Sequence, residues 1–148
     1  MKNATRVVCT EAVASLLDEL RKEHGELLFH QSGGCCDGSA PMCYPRGDFR
    51  IGERDVYLGA IAGCPFFIGG DQFDYWKHTH LTIDVVKGRG AGFSVEGPRG
   101  VRFIVRSDVL SAEDVAALDA LGPPRCGPEA LRAFDEARGP AMPSPSPS

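Results

Sequence analysis

Hydrophobic residues recur with two different periods along the chain, and the change of period divides it. Val13, Leu16, Leu17 and Leu20 fall at i, i+3, i+4 and i+7, which is one face of a helix. Thr10 is a suitable N-cap before them, Glu11 sits favourably at the positive end of the helix dipole, and Gly25 stops the element. Beyond Gly25 the pattern shortens to β-type runs at 26–31, 49–52, 55–62, 65–68, 81–86, 92–96 and 101–106. They are interrupted at 71–78, where Phe73, Trp76 and Lys77 at helical spacing predict a short helix with one apolar edge. Ser111 and Asp114 form a capping box with Val115, Leu118 and Leu121 behind it, and a last helical piece is expected over 128–137. No internal repeat is visible. The order predicts an α+β fold whose short strands are joined by tight turns rather than by long helical crossovers.

Composition refines this reading. The chain has 148 residues with 18 Gly and 11 Pro, both above average usage. Fifteen of the Gly lie between Gly25 and Gly100, where they supply tight turns, whereas seven of the Pro lie from Pro123 onward. Pro and Ser over 139–148 forbid helix and ladder pairing and predict an extended, disordered tail. The expected organisation is a main domain over 8–110, a helical extension over 111–138 and the tail over 139–148. A hydrophobic content of 43% is enough for a core, and a net charge of −4 without Lys/Arg clusters argues against nucleic acid as a partner. No apolar stretch is long enough to span a membrane, and Asp18, Glu19, Arg21, Lys22 and Glu23 stand where a signal peptide would be apolar. These features predict a cytoplasmic protein.

The densest chemistry lies between His30 and Pro45, a stretch that contains Gly33, Gly34, Cys35, Cys36, Asp37, Gly38, Met42 and Cys43. The glycines let the backbone fold tightly, so the thiols of Cys35, Cys36 and Cys43 are candidates to meet in space, and Cys64 is the fourth thiol of this half. Thiolates suit iron, iron–sulfur clusters, Zn and Cu(I), and a reducing compartment keeps them available. His30, next to this loop, is a candidate for ligation or for activating a thiolate. Each has a plainer alternative. Alternation places Cys64 with Phe66 and Ile68, as a core residue would be, and Asp37 can serve an Asx-type turn. Cys9 and Cys126 are isolated and read as structural. His78 and His80 would share a strand face, although His78 is better explained as the end of the short helix. Met42 matters as a ligand only to Cu(I). No C-x-x-C pair occurs, which excludes the common zinc ribbon and thioredoxin-like motifs. The run from Gly88 to Gly92 lacks the Lys-Ser/Thr of a phosphate loop and reads as a turn.

The order of these motifs over residues 10–100 resembles the HesB/IscA-like domain of A-type iron–sulfur carriers. The matching pieces are the first helix, the Gly-Gly-Cys loop, Thr82-Ile83-Asp84-Val85-Val86, and Gly92-Phe93-Ser94-Val95-Glu96-Gly97-Pro98. The resemblance implies a compact pseudo-barrel of short mixed strands, with an N-terminal helix, a short internal helix and C-terminal helical pieces, often as a homodimer. It carries over one ligand position, Cys35; the C-terminal Cys-x-Cys of those carriers has no counterpart over 101–125. The string from His30 to Pro45, HQSGGCCDGS-x-P-x-CYP, resembles the bacterial family called domain of unknown function 779. That resemblance implies association with aldehyde dehydrogenases and an accessory role in aldehyde metabolism. The chain lacks a dinucleotide fingerprint and is too short to be such a dehydrogenase itself.

The leading expectation is therefore a small metal-binding protein, with iron or an iron–sulfur cluster first and Zn or Cu(I) as alternatives. Its expected ligands are Cys35, Cys36 and Cys43, with Cys64 and His30 as further candidates. One rival is an adaptor that binds an aldehyde dehydrogenase through an apolar surface to which Phe66, Phe67, Phe73, Tyr75 and Trp76 are candidates, although most of them are expected in the core. Another is a thiol redox protein using Cys35 or Cys36 with help from His30.

Overall fold

A computed structural model describes residues 6–31, 41–76, 79–88, 94–122 and 124–137. In chain order the elements are β1 (Val7–Cys9), α1 (Glu11–His24), β2 (Leu27–Gln31), β3 (Met42–Pro45), β4 (Val56–Ile61), β5 (Cys64–Ile68), α2 (Gly70–Trp76), β6 (Thr79–Lys87), β7 (Val101–Val109), α3 (Ala112–Ala120) and α4 (Gly127–Ala137). One sheet has the order β1-β6-β7 and the other β3-β2-β5-β4. Two of the pairings, β1 with β6 and β2 with β5, are parallel, so both sheets are mixed.

Helix α1 begins where its cap predicts. The Thr10 hydroxyl accepts from the Val13 N–H and donates to Asp84 on β6, each at 3.3 Å, while the Thr10 N–H donates to the Ile83 carbonyl at 3.1 Å. One residue thus ends β1, starts the helix and fixes both to the sheet. At the far end the Gly25 N–H reaches the Arg21 carbonyl at 2.8 Å with φ of 80°, which a residue with a Cβ adopts only at a cost. Val13, Leu17 and Leu20 turn inward.

Strand β2 is buried at every position and divides the interior. Because successive side chains leave a strand on opposite faces, Leu27 and Phe29 enter the main core while Leu28 faces a second, smaller one. In the main core the Phe29 ring stacks on Phe66 with centroids 5.6 Å apart and meets Phe103 of the other sheet edge-on at 5.0 Å. The smaller core contains Leu28, Ile51, Phe67 and Ala130, so α4 is packed onto the second face of the sheet. Gly127 makes that docking close: its N–H donates to the Asp55 carbonyl at 2.8 Å, and a Cβ there would lie 3.3 Å from Glu53 backbone atoms.

The sheets do not close into a barrel; two contacts without ladders join them instead. On one side β1 lies against β4, where a bulge at Gly59 leaves only enough room for a Cβ 3.3 Å from Val7. On the other side, residues 94–96 bridge the free edge of β3 to β7. The Cys43 N–H donates to Ser94 Oγ at 2.9 Å, the Val95 N–H donates to the Cys43 carbonyl at 3.0 Å, and the Phe103 N–H donates to Glu96 Oε2 at 3.4 Å. Ser94 also hydrogen-bonds Glu96 directly. Glu96 is 1% exposed, and burial raises its carboxyl pKa despite these hydrogen bonds.

Several local expectations are corrected. The apolar positions at 49–52 belong to no strand; Phe49 and Ile51 are anchors of the smaller core. Of the strand expected at 92–96, residues 94–96 form a bend and turn, and 92–93 lie outside the described residues, as does the tail over 139–148. Strands β1 and β3 were not predicted, and β7 continues past Arg106 to Val109. Of the aromatics weighed as a docking surface, Phe66 and Phe67 are fully buried and Phe73 packs against the main core, in keeping with the expectation that most are core.

Two predictions follow from this packing. Phe29→Ala, which leaves a cavity where the sheets meet, should cost about 3–5 kcal/mol in denaturant unfolding, and a loss under about 1 kcal/mol would contradict the packing. Glu96 has a folded pKa above the ordinary 4.5, so its contribution to stability is full below that value and is lost as pH rises through the folded value. Glu96→Gln should flatten this decline, and an unchanged stability–pH curve would show that the carboxyl does not titrate on unfolding.

Candidate functional site

The pleat of β2 sorts the candidate residues. Phe29 stands opposite Cys43 on β3 and Phe66 on β5, and Cys64 is two residues before Phe66, so both thiols belong to the main core. His30, one residue after Phe29, faces the other way. Cys35, Cys36 and Asp37, with Gly33, Gly34 and Gly38, lie outside the described residues, as does His78. His80 is on β6 of the three-stranded sheet, opposite Asp108 on the neighbouring β7. Among the described residues, no three of His, Cys, Asp and Glu gather as a metal would require.

Cys43 was expected in the Gly-rich loop, but β3 begins at Met42 and carries Cys43 inward, fully buried. Its thiol is pushed well up the pH scale by burial, with the neighbouring Cys64 and Glu96 adding to the effect. Cys64, also buried, accepts a hydrogen bond from Arg21 Nη1 at 3.1 Å. Burial still outweighs this cation and pushes its thiol up to about 11. Arg21 is itself held by the Ala62 carbonyl and by Asp18 at 2.6 Å. Because β2 runs between β3 and β5, and Cys64 is also two residues out of level with Cys43, the two Cys backbones are more than two inter-strand spacings, or about 10 Å, apart, beyond the reach of a disulfide. Both are neutral core thiols. Cys9 packs against the same core, whereas Cys126 is exposed.

His30 presents a different environment. The residue is 6% exposed, and its Nε2 is 2.8 Å from Asp55 Oδ1. Asp55 is set by a tight turn: its Oδ2 accepts from the Gly52 N–H at 2.7 Å, and its own N–H donates to the Gly52 carbonyl at 3.1 Å. That turn is pressed against the start of α2, where a Cβ on Gly70 would come within 2.6 Å of the Arg54 carbonyl oxygen. A carboxylate oxygen can only accept, so Nε2 carries the hydrogen in this contact, and whenever the ring holds one hydrogen Nδ1 is the nitrogen with the lone pair. Nδ1 is buried and has no hydrogen-bond partner among the described residues.

Aromatic residues complete this wall. The Phe49 ring lies 4.7 Å from both the His30 ring and the Tyr44 ring. The Tyr44 hydroxyl donates to Met42 Sδ at 3.1 Å, and Met42 is the residue directly across from His30 in the β2–β3 ladder. Asp55 and Phe49 were not identified from the sequence; the one available signal was a polar turn at 52–55 entering an apolar strand. The wall stands at the end of β2 from which the segment bearing Cys35 and Cys36 departs.

Residues 16–109, more than half of the chain, match the model of a family described as a domain of unknown function, DUF779. No curated protein matches the chain.

The burial of the core thiols has a direct consequence for reactivity. In the native protein at pH 8, Cys126 should react promptly with an aromatic disulfide reagent, while Cys43 and Cys64 should react only after denaturant is added. Prompt labelling of either, read by peptide mass spectrometry, would contradict their placement.

Proposed function

We propose that this chain, which belongs to the DUF779 family, is a small metal-binding protein that holds a thiophilic ion at the end of β2. The proposed ligands are the thiols of Cys35 and Cys36 and the Nδ1 of His30. The observation that carries this reading is the buried His30 ring, fixed through Nε2 by Asp55, with Nδ1 unpaired among the described residues. A carboxylate behind a histidine is the usual means of choosing which ring nitrogen faces a metal and of raising its basicity. Leaving a buried ring nitrogen without a partner costs about 1–3 kcal/mol, so its use by a ligand offsets a real penalty. Cys35 is four residues beyond Gln31, within about 14 Å of extended chain, so the covalent tether allows the meeting. Cys43 and Cys64, on the opposite face of the sheet, serve the core in this proposal.

An imidazole with thiolates fits iron, an iron–sulfur cluster, Zn or Cu(I). The proposed setting is a cytoplasmic accessory role in aldehyde metabolism, with an aldehyde dehydrogenase as partner and a homodimer as the assembly. Sequence resemblance alone supports the partner and the dimer, and the charge and hydropathy pattern of the chain supports the compartment.

The test is anoxic purification, loading with Fe, Zn or Cu under reducing conditions, and metal analysis with an absorption spectrum. Wild type should retain metal, Cys35→Ser and Cys36→Ser should lose it, and Asp55→Asn should weaken it by about 10–100-fold. Cys43→Ser and Cys64→Ser should retain it in whatever fraction remains folded. Metal-free wild type, or unchanged binding in a Cys35→Ser/Cys36→Ser double variant, would overturn the reading. Rapid thiol oxidation at Cys35 or Cys36 in a metal-free wild type would favour the redox alternative.

A further inference from the structure

We infer that the seam where β1 meets β4 is a binding site for a small carboxylate with an apolar tail. The site shares no residue with the proposed metal site and stands apart from that reading. A cavity of ≈ 450 Å³ opens there, between the start of β1, the bulged part of β4, and the end of α3 with the connection that follows it. Its volume lies within the range of small-molecule sites.

The cavity exists because two sheet edges face each other without pairing. Residues next to α4 extend the four-stranded sheet for a short distance: Val56 bridges to Cys126, and the Tyr57 N–H donates to the Arg125 carbonyl at 2.9 Å. Pro124, one residue before Arg125, has no N–H with which to continue that pairing. Beyond the bulge, Ala60 stands opposite Pro65. A hydrogen-bonded antiparallel pair exchanges two N–H···O bonds, which a proline cannot do, so this is a non-hydrogen-bonded position. The Ala60 N–H and carbonyl therefore point away from β5 toward the β1 side, and Ala60 lines the cavity.

The lining has two chemical halves. Val7, Leu58 and Leu118, all buried, give it an apolar floor, and Leu121 beside them is 75% exposed. The charged residues that line it among the described residues are both cations, Arg6 and Arg125. Arg6 lies 5.4 Å over the Phe73 ring, and burial lowers its pKa, an effect that the nearby Asp119 offsets only in part. A further anion beside it supplies counter-charge that the chain leaves incomplete. A carboxylate matches the planar guanidinium group and can also accept from an edge N–H such as that of Ala60. A phosphate dianion would bring a second charge against the apolar floor, where desolvation opposes it. An apolar tail covers that floor and the exposed Leu121 instead.

The experiment is an NMR titration of the full chain, labelled on backbone nitrogen and leucine methyls, with hexanoate, and with hexanol and hexylamine as neutral and cationic molecules of the same tail. Hexanoate should bind saturably and shift the Ala60 amide and the Leu118 and Leu121 methyls, with both controls at least about tenfold weaker. Acetate, which lacks the tail, should also be weaker. Arg125→Gln, shown to be folded by a thermal melt, should weaken hexanoate by at least about tenfold. Shifts that do not saturate, saturable shifts confined to residues outside the cavity, hexanol as tight as hexanoate, acetate as tight as hexanoate, or unchanged affinity in folded Arg125→Gln would each overturn the inference. None of these results bears on metal retention, so the metal-binding reading stands or falls by its own test.

Discussion

The alternation of β2 is the constraint on which the rest of the molecule depends. The strand is paired on both edges and covered on both faces, so each of its side chains is committed to one of two interiors. Leu27 and Phe29 enter the core shared by both sheets, while Leu28 and His30 enter the space closed by Phe49, Ile51 and α4. A slip of one residue would exchange the two sets, burying an imidazole against Phe66 and Phe103 and removing the aromatic contact that joins the sheets. The same alternation parts the chain's soft and basic groups. Cys43 and Cys64 become neutral core thiols, and His30 is left to be partnered from the other face.

Polar contacts at the margins hold this arrangement without a continuous ladder. Thr10 and Asp84 tie the start of α1 to one sheet, and residues 94–96 carry the edge of β3 across to β7. The turn at 52–55 does the same for the candidate site: it delivers a carboxylate to His30 while its own backbone is held against Gly70 and Gly127. The ring is thus oriented by Asp55 and Phe49, and Asp55 is itself held by Gly52. Such pre-ordering is what the proposed metal site requires of its histidine.

Much of the fold was legible because local signals and tertiary packing agree. Thr10, Gly25 and the apolar stripe between them specify α1, and Ser111 with Asp114 specifies the start of α3, where the Ser111 hydroxyl accepts the Asp114 N–H at 3.1 Å. Alternation correctly grouped Cys64 with Phe66 and Ile68. Strands as short as β1 and β3 carry too few residues to establish a period, so they emerge only from their partners. Phe49 and Ile51 alternate as a strand would, yet they alternate because two anchors flank an outward Arg50. The site was half legible. His30 was singled out by its neighbours in sequence, whereas Asp55 is 25 residues away and is recognisable only once β2 and β4 are in one sheet.

The most direct test of this arrangement is the protonation pattern of the His30 ring, read by nitrogen-15 NMR of selectively labelled protein before and after metal is added. Hydrogen on Nε2, held by Asp55, and a shift at Nδ1 on loading are the predicted result. Hydrogen on Nδ1 in the metal-free protein, or an Nδ1 signal that does not respond to bound metal, would contradict it.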